Sequence, residues 1–93
     1  MSEITLDAIH DALFRINRKI RRVDVQESSS LIEDFGLDSV RFVELAFVLE
    51  DVFELDAFPM DEWAASEMAR VGKRFTVASL ADRLRTLRQK HPR

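Results

Sequence analysis

Apolar residues recur three and four positions apart along most of this chain, which is the spacing of an amphipathic helix. The first such stripe predicts a helix from about Glu3 to about Arg21. Its acids come early and its bases late, an order that complements the helix dipole at both ends. The stripe consists of Leu6, Ile9, Leu13, Ile16, Ile20 and Val23.

The segment from Asp24 to Asp38 breaks this spacing and predicts a long loop. Ser28, Ser29 and Ser30 mark its polar centre, and Gly36 is a turn signal. Its apolar residues should anchor it to the core: Leu31, Ile32, Phe35 and Leu37. A loop this long in a small domain is usually functional or disordered, and the apolar anchors favour a functional loop.

The next run predicts a second helix that begins at Asp38 or Ser39, both good N-cap residues, and ends near Phe53 or Glu54. On a helical wheel its apolar residues fall on two sides. The side that should face the core contains Phe42, Leu45, Ala46, Leu49, Val52 and Phe53. The opposite side contains Val40, Val43 and Phe47, flanked by Glu44, Glu50 and Asp51. This second side either packs under the third helix or contacts a partner. The flanking acids favour the partner, because burying unpaired carboxylates is costly, but they do not decide the question.

A third helix is predicted from Phe58–Pro59 to about Val71, with Pro59 at its first position and Gly72 at its end. Its apolar stripe consists of Met60, Trp63, Ala64, Met68 and Val71. A last helix should start after Thr76, with core positions Val77, Leu80, Leu84 and Leu87. These patterns predict an all-α bundle of four helices, three longer and one shorter, in a single domain spanning residues 1–93.

Composition narrows the functions open to such a bundle. The chain has no cysteine, so we expect no disulfide, thiolate metal site or cysteine nucleophile. No segment approaches the roughly 20 apolar residues of a membrane span, and no secretory signal is evident, so we expect a cytoplasmic protein.

The net charge of −3 hides a strong segregation of charge along the chain. Residues 33–69 contain eleven acids and one base, Arg41, whereas residues 70–93 contain one acid and eight bases. An acidic middle segment argues against nucleic acid as a partner and favours a basic protein surface, although a merely solvated acidic face would give the same pattern.

A candidate site of chemistry lies at the start of the second helix. The stretch Glu33-Asp34-Phe35-Gly36-Leu37-Asp38-Ser39-Val40 runs into Phe42-Val43-Glu44-Leu45 and then Leu49-Glu50-Asp51-Val52-Phe53. An isolated Asp-Ser pair would indicate only a helix cap. With these surroundings, the sequence resembles the acyl and peptidyl carrier protein family, in which an Asp-Ser-Leu or similar triplet after a glycine-containing loop opens the second helix. The resemblance covers about Leu6 to Leu87.

The resemblance implies that Ser39 receives a 4′-phosphopantetheine arm from coenzyme A and that the chain is a discrete, type II carrier. The thiol of the arm would hold acyl, aminoacyl, aryl or polyketide intermediates as thioesters, as in fatty acid, polyketide or nonribosomal peptide biosynthesis. The chain itself would then need no catalytic residue, because a phosphopantetheinyl transferase performs the attachment. Asp38 would help that transferase recognise the site. The charged phosphodiester would suit the start of a helix.

The resemblance also implies two surfaces. The partner-docking face would consist of Val40, Val43, Glu44, Phe47 and Glu50. Its acids would meet basic surfaces on the loading ligase or synthase and favour fast, reversible encounters. A candidate cargo pocket would lie between the second and third helices and involve Phe42, Leu49, Phe58 and Trp63, although plain core packing is the better explanation for any one of them. We expect a monomer whose partners are neither nucleic acid nor a membrane.

Two features depart from the family pattern. Arg41 stands where an acid commonly follows the Ser-apolar pair, so partner enzymes should differ. The segment 59–76 is several residues longer than in ordinary fatty-acid carriers. Its Phe-Pro-Met-Asp-Glu-Trp opening resembles specialised carriers for unusual or very long acyl chains, and a peripheral basic loop through Arg70, Lys73 and Arg74 would explain the length equally well.

Other functions fit the sequence less well. His10 and His91 lack metal-ligand or catalytic-triad partners at diagnostic spacing, and we expect them on the solvated side of the first helix and in the terminal tail. The pair Asp61-Glu62 is explained by the first turn of a helix. The main alternative is a small helical adaptor without a prosthetic group, which would use the same Val40–Phe47 stripe. A helix-turn-helix nucleic-acid binder ranks lower, because the bases lie at both ends of the chain.

Overall fold

In the computed structural model, which describes residues 3–90, the chain forms four α-helices and one short 3₁₀ turn. The helices are α1 (Leu6–Ile16), α2 (Ser39–Val52), α3 (Met60–Met68) and α4 (Val77–Lys90), and the 3₁₀ turn covers Arg22–Asp24. Helix α3 is the shortest, with 9 residues. The predicted all-α fold with three longer helices and one shorter helix is therefore confirmed.

Threonine side chains begin two of these helices. Thr5 Oγ1 accepts a hydrogen bond from the backbone N–H of Ala8 at 3.1 Å. Thr76 Oγ1 accepts one from the N–H of Ser79 at 3.1 Å. Each bond satisfies a backbone donor that has no partner inside its helix. Helix α4 therefore starts directly after Thr76 as predicted, whereas α1 starts later than the predicted Glu3.

Helix α1 also ends earlier than its apolar stripe predicts. Asn17 has an extended backbone, and its side-chain oxygen accepts a hydrogen bond from the N–H of Lys19 at 3.0 Å. A side chain that bonds its own neighbouring backbone competes with the helix and ends it. The predicted extension to Arg21 is therefore wrong. The prediction that Val23 lies in the core is also wrong, since 64% of this residue is exposed.

Helix α3 ends at Met68 rather than near Val71. The carboxylate of Glu67 turns inward and accepts a hydrogen bond from the backbone N–H of Phe75 at 2.6 Å, which draws the connection to α4 back over the helix end. Gly72 in this connection has a φ of 98°, a backbone conformation that favours glycine. Met68 and Val71 are 59% and 99% exposed, so their predicted place in the apolar stripe is wrong.

The core lies between all four helices and includes residues from the loops. Helix α2 contributes Leu45 and Leu49, which are fully buried, and the neighbouring Phe53 is 1% exposed. The remaining predicted core residues of α2 pack partly buried against them: Phe42, Ala46 and Val52. In α4, Val77, Leu80 and Leu84 are buried as predicted. The predicted inner side of the second helix is therefore confirmed.

The loop between α1 and α2 is docked on the start of α4. The carbonyl of Ser29 accepts a hydrogen bond from the N–H of Val77 at 2.9 Å, and the N–H of Leu31 donates to the carbonyl of Phe75 at 2.9 Å. Ser29 and Ser30, two of the three serines at the polar centre of the loop, are buried, and their hydroxyls are hydrogen-bonded to Asp24 and Glu33 of the same loop. Ile32 is exposed, so its predicted role as an apolar anchor is wrong. The other three predicted anchors pack in or against the core: Leu31, Phe35 and Leu37.

Candidate functional site

Ser39 is the first residue of α2 and is exposed. The preceding Asp38 is the N-cap, and its carboxylate accepts a hydrogen bond from the backbone N–H of Arg41 at 2.9 Å. The first intrahelical bond of α2 runs from the N–H of Phe42 to the carbonyl of Asp38 at 2.9 Å. Within residues 3–90 the hydroxyl of Ser39 makes no hydrogen bond. It is therefore an accessible nucleophile at the positive end of a helix dipole.

The loop before α2 fixes where this hydroxyl stands. The N–H of Leu37 donates to the carbonyl of Leu31 at 3.0 Å, and the side chain of Leu37 is buried two residues before Ser39. Gly36 has a φ of 67°, which an L side chain rarely adopts. Its N–H donates to the carbonyl of Ile32 at 3.0 Å. The glycine turn and the buried leucine hold the start of α2 at the surface of the bundle.

Helix α2 presents an apolar stripe to solvent next to Ser39. Val40, Val43 and Phe47 are 65%, 57% and 66% exposed. Of the two possibilities that the sequence left open, packing under the third helix is excluded by these values. Isolated apolar residues are normal on protein surfaces, but three that follow one side of a helix form a patch suited to a partner.

The carboxylates beside this stripe are engaged within the protein. Both oxygens of Glu44 accept hydrogen bonds from Arg41, at 3.1 and 3.3 Å. Glu50 is half-buried, and its Oε2 accepts a bond from the backbone N–H of Phe58 at 2.9 Å. Glu50 therefore holds the α2–α3 connection, a contact that the sequence did not indicate. Glu44 remains exposed, so a basic group of a partner can compete with Arg41 for its carboxylate.

Other acids of the acidic middle segment also have basic partners. Asp51 pairs with Arg15 of α1 at 2.6 Å. Asp34 lies 3.7 Å from Lys73 of the α3–α4 connection. In the folded protein, bases from both sides of the acidic segment in the sequence therefore lie next to its acids. Exposed pairs of this kind contribute about 0–1 kcal/mol each to stability, so their main effect here is to moderate the negative potential around α2.

The four residues of the candidate cargo pocket lie in one part of the core. Leu49, Phe58 and Trp63 are buried, and Phe42 is half-buried. The ring centroids of Phe42 and Phe58 lie 6.3 and 6.1 Å from that of Trp63. Phe75, which the sequence did not single out, completes this aromatic cluster at 5.4 Å from both Phe42 and Trp63. A lone aromatic residue within the basic segment 70–76 was the signal that could have revealed it.

The sequence did not predict that Glu67 is a buried carboxylate. Glu67 is 2% exposed and accepts bonds from the N–H of Phe75 at 2.6 Å, the hydroxyl of Ser79 at 2.8 Å and Arg70 at 3.4 Å. The indole N–H of Trp63 donates in turn to Ser79 Oγ at 3.3 Å. A buried charge needs such partners, and this network ties α3 to α4 beside the aromatic cluster.

His10 is half-buried rather than solvated as predicted, and its Nε2 lies 2.9 Å from the carbonyl of Ile20. This contact links the middle of α1 to the segment that folds back after the helix ends, which is the physical reason for the burial of His10. His91 lies outside the described residues. Among residues 3–90, no group of three or more His, Cys, Asp and Glu side chains could hold a metal ion. No helix in the same range is long and apolar enough to cross a membrane.

Comparison with known proteins gives one significant similarity to report. The acyl carrier protein of Chlamydia muridarum is 45% identical to this chain over 49 residues, which are 53% of the chain and 60% of that protein. The chain thus matches less than two-thirds of the length of this relative. No family model matches the chain, and no solved structure matches it significantly. About half of the chain is thus similar in sequence to part of an acyl carrier protein.

Proposed function

We propose that this chain is a carrier protein that holds its cargo as a thioester on a 4′-phosphopantetheine arm attached to Ser39. The observation that carries the proposal is the hydroxyl of Ser39, which is exposed and without a hydrogen bond to residues 3–90, on the first residue of α2. The similarity to an acyl carrier protein supports it, and so does the all-α bundle around the serine.

The residues around Ser39 fit such a group. The first N–H groups of a helix have no acceptor inside the helix, so those of Ser39 and Val40 are available to a phosphodiester on the Ser39 oxygen. Asp38 already satisfies the N–H of Arg41. The arm would supply a thiol, which the chain lacks, since it has no cysteine.

In the proposed attachment reaction, the 4′-phosphopantetheine group of coenzyme A is transferred to the hydroxyl of Ser39. Oγ of Ser39 would give up its proton and bond the phosphorus next to the pantetheine, while the bond from that phosphorus to the second phosphate of coenzyme A would break and release adenosine 3′,5′-bisphosphate. Asp38 precedes the nucleophile directly, and we propose that it contributes to recognition by the transferase.

The exposed stripe of α2 is the proposed docking face. Val40, Val43 and Phe47 form its apolar centre, and Glu44 is its exposed acid. We propose that the loading enzymes present a basic surface there, as fast and reversible encounters require. We also propose Glu50 as a rim residue of this face, although one of its oxygens is already bonded to the backbone N–H of Phe58. Phe42, Leu49, Phe58 and Trp63 are the proposed cargo pocket.

The test is whether a phosphopantetheinyl transferase loads the chain at Ser39. The alternative, a helical adaptor without a prosthetic group, would use the same exposed stripe and take no arm. A cytoplasmic monomer that serves several enzymes is the setting we propose for the carrier.

A further inference from the structure

Four aromatic rings form a cluster that begins one helical turn from Ser39. Its members are Phe42, Phe58, Trp63 and Phe75. Neighbouring ring centroids lie 5.4–6.3 Å apart at interplanar angles of 54–88°. These are the tilted and edge-on arrangements of closely packed aromatic side chains. Phe42 lies on α2 and Trp63 on α3, so the cluster fills the space between these two helices.

Phe75 is held in place by its backbone. Its φ of 57° lies in the left-handed region, where a bulky residue is an outlier that persists only when its surroundings fix it. Its N–H donates to the buried carboxylate of Glu67 at 2.6 Å, and its carbonyl accepts from Leu31 at 2.9 Å. Moving the backbone of Phe75 would break both bonds and leave a buried carboxylate short of a donor, and the residue is only 7% exposed, so its ring has little room to turn.

Phe42 has no such restraint. It lies within α2, is half-buried, and contacts the cluster through the rings of Phe75 and Trp63. A side chain on a regular helix can change rotamer without disturbing the backbone. Trp63 is fixed in comparison, because it is 1% exposed and its indole N–H donates to Ser79.

We infer that Phe42 and Phe75 are specificity-determining residues that restrict the pocket to small acyl groups. Phe42 stands on α2 three residues after Ser39 and would be the first ring to yield to an inserted group, and Phe75, which packs on it, would be the next. The inference rests on the proposed carrier function. A small group needs only the space that the ring of Phe42 vacates. A medium-length alkyl chain must also displace Phe75, because protein interiors are close-packed and have no spare volume for it.

The experiment loads the protein with acetyl, butyryl, hexanoyl or octanoyl arms, using a broad-specificity transferase and the matching acyl-coenzyme A. The decay of each protein thioester in neutral hydroxylamine is followed by intact mass and divided by the decay of the same acyl-coenzyme A. We expect the ratios for hexanoyl and octanoyl to lie within about twofold of one, because the longer chains stay in water, and a lower ratio for butyryl, which fits the space that the ring of Phe42 vacates. A hexanoyl or octanoyl thioester protected about fivefold or more in the wild type would overturn the inference, since burial of even a few methylenes should shelter it that strongly.

The variant Phe42→Ala removes this ring and should protect butyryl about fivefold relative to the wild type, by the same burial argument. Hexanoyl should gain this protection only in the double variant Phe42→Ala/Phe75→Leu, because Phe75 still blocks it in the single variant. Phe42→Leu, a milder change, should protect butyryl less. Phe53→Leu removes aromatic volume at the other end of α2 and should protect neither chain. Equal decay in the wild type and in both folded Phe42 variants would also refute the inference. A chain that takes no arm at all would instead refute the carrier function, so the two failures are distinguishable.

Discussion

Oε2 of Glu50 accepts a hydrogen bond from the backbone N–H of Phe58 at 2.9 Å, which joins the last turns of α2 to the connection that leads into α3. A residue that the sequence assigned to docking is therefore also structural. The contact changes what a substitution at this position reports, because loss of docking and loss of stability occur together.

We expect Glu50→Ala to lower the free energy of unfolding by about 1 kcal/mol, since it leaves a backbone donor of Phe58 without its acceptor. Glu50→Gln keeps a side-chain oxygen at the same place and should lose less. Urea unfolding followed by circular dichroism measures both. Equal stabilities for the wild type and the alanine variant would show that the contact does not stabilise the fold.

Glu44 is the better probe of docking, because its exposed pair with Arg41 contributes little to stability. We expect Glu44→Lys to lower the kcat/KM of loading by a transferase about threefold or more at low salt, since charges at the rim of an interface act on association. The difference should shrink as ionic strength rises. The control is Glu27→Lys, which makes the same charge change at an exposed residue of the α1–α2 loop. A similar decrease of kcat/KM in both variants would mean that loading depends on the net charge of the protein and not on the position of Glu44.

Phe47 tests the apolar centre of the docking face. Because it is 66% exposed, Phe47→Ser should change the free energy of unfolding by no more than about 0.5 kcal/mol, while slowing the loading reaction. Phe14→Ser provides a matched control on α1, where 39% of the residue is exposed. Loading rates for the variants are compared under the same transferase concentration. If the Phe14 variant is as slow as the Phe47 variant, the stripe has no special role.

Glu67 tests the network that holds the connection between α3 and α4. Glu67→Ala removes the acceptor of the Phe75 N–H and of Ser79 inside the core, so we expect a loss of about 2–4 kcal/mol in the free energy of unfolding. Glu67→Gln should be less harmful, because one oxygen remains. Denaturant unfolding of both variants decides this. A loss below about 1 kcal/mol for the alanine variant would show that the network is dispensable.

The sequence predicted well what depends on periodicity and poorly what depends on contacts across the fold. The inner side of α2 and the start of α4 after Thr76 follow from spacing and capping. Spacing left open whether Val40, Val43 and Phe47 are exposed, and the structure decides it. These are local properties, so residues close together in sequence decide them.

The errors arise where a distant group competes with the local pattern. Helix α3 stops at Met68 because Glu67 turns toward Phe75, eight residues on. The internal roles of Glu50 and Ser30 depend on contacts with the α2–α3 connection and with the segment before α4. No spacing rule along the chain encodes such contacts. For the same reason, the negative potential around α2 is weaker than the run of acids in the sequence suggests.

The central claim concerns Ser39, and the most direct measurement is the intact mass of the purified protein after incubation with coenzyme A and a broad-specificity phosphopantetheinyl transferase. We predict the addition of one 4′-phosphopantetheine group, located on Ser39 by fragmentation, abolished in Ser39→Ala and retained in Ser28→Ala. An unchanged wild-type mass, in a reaction where a known carrier protein is fully loaded, would contradict the carrier function.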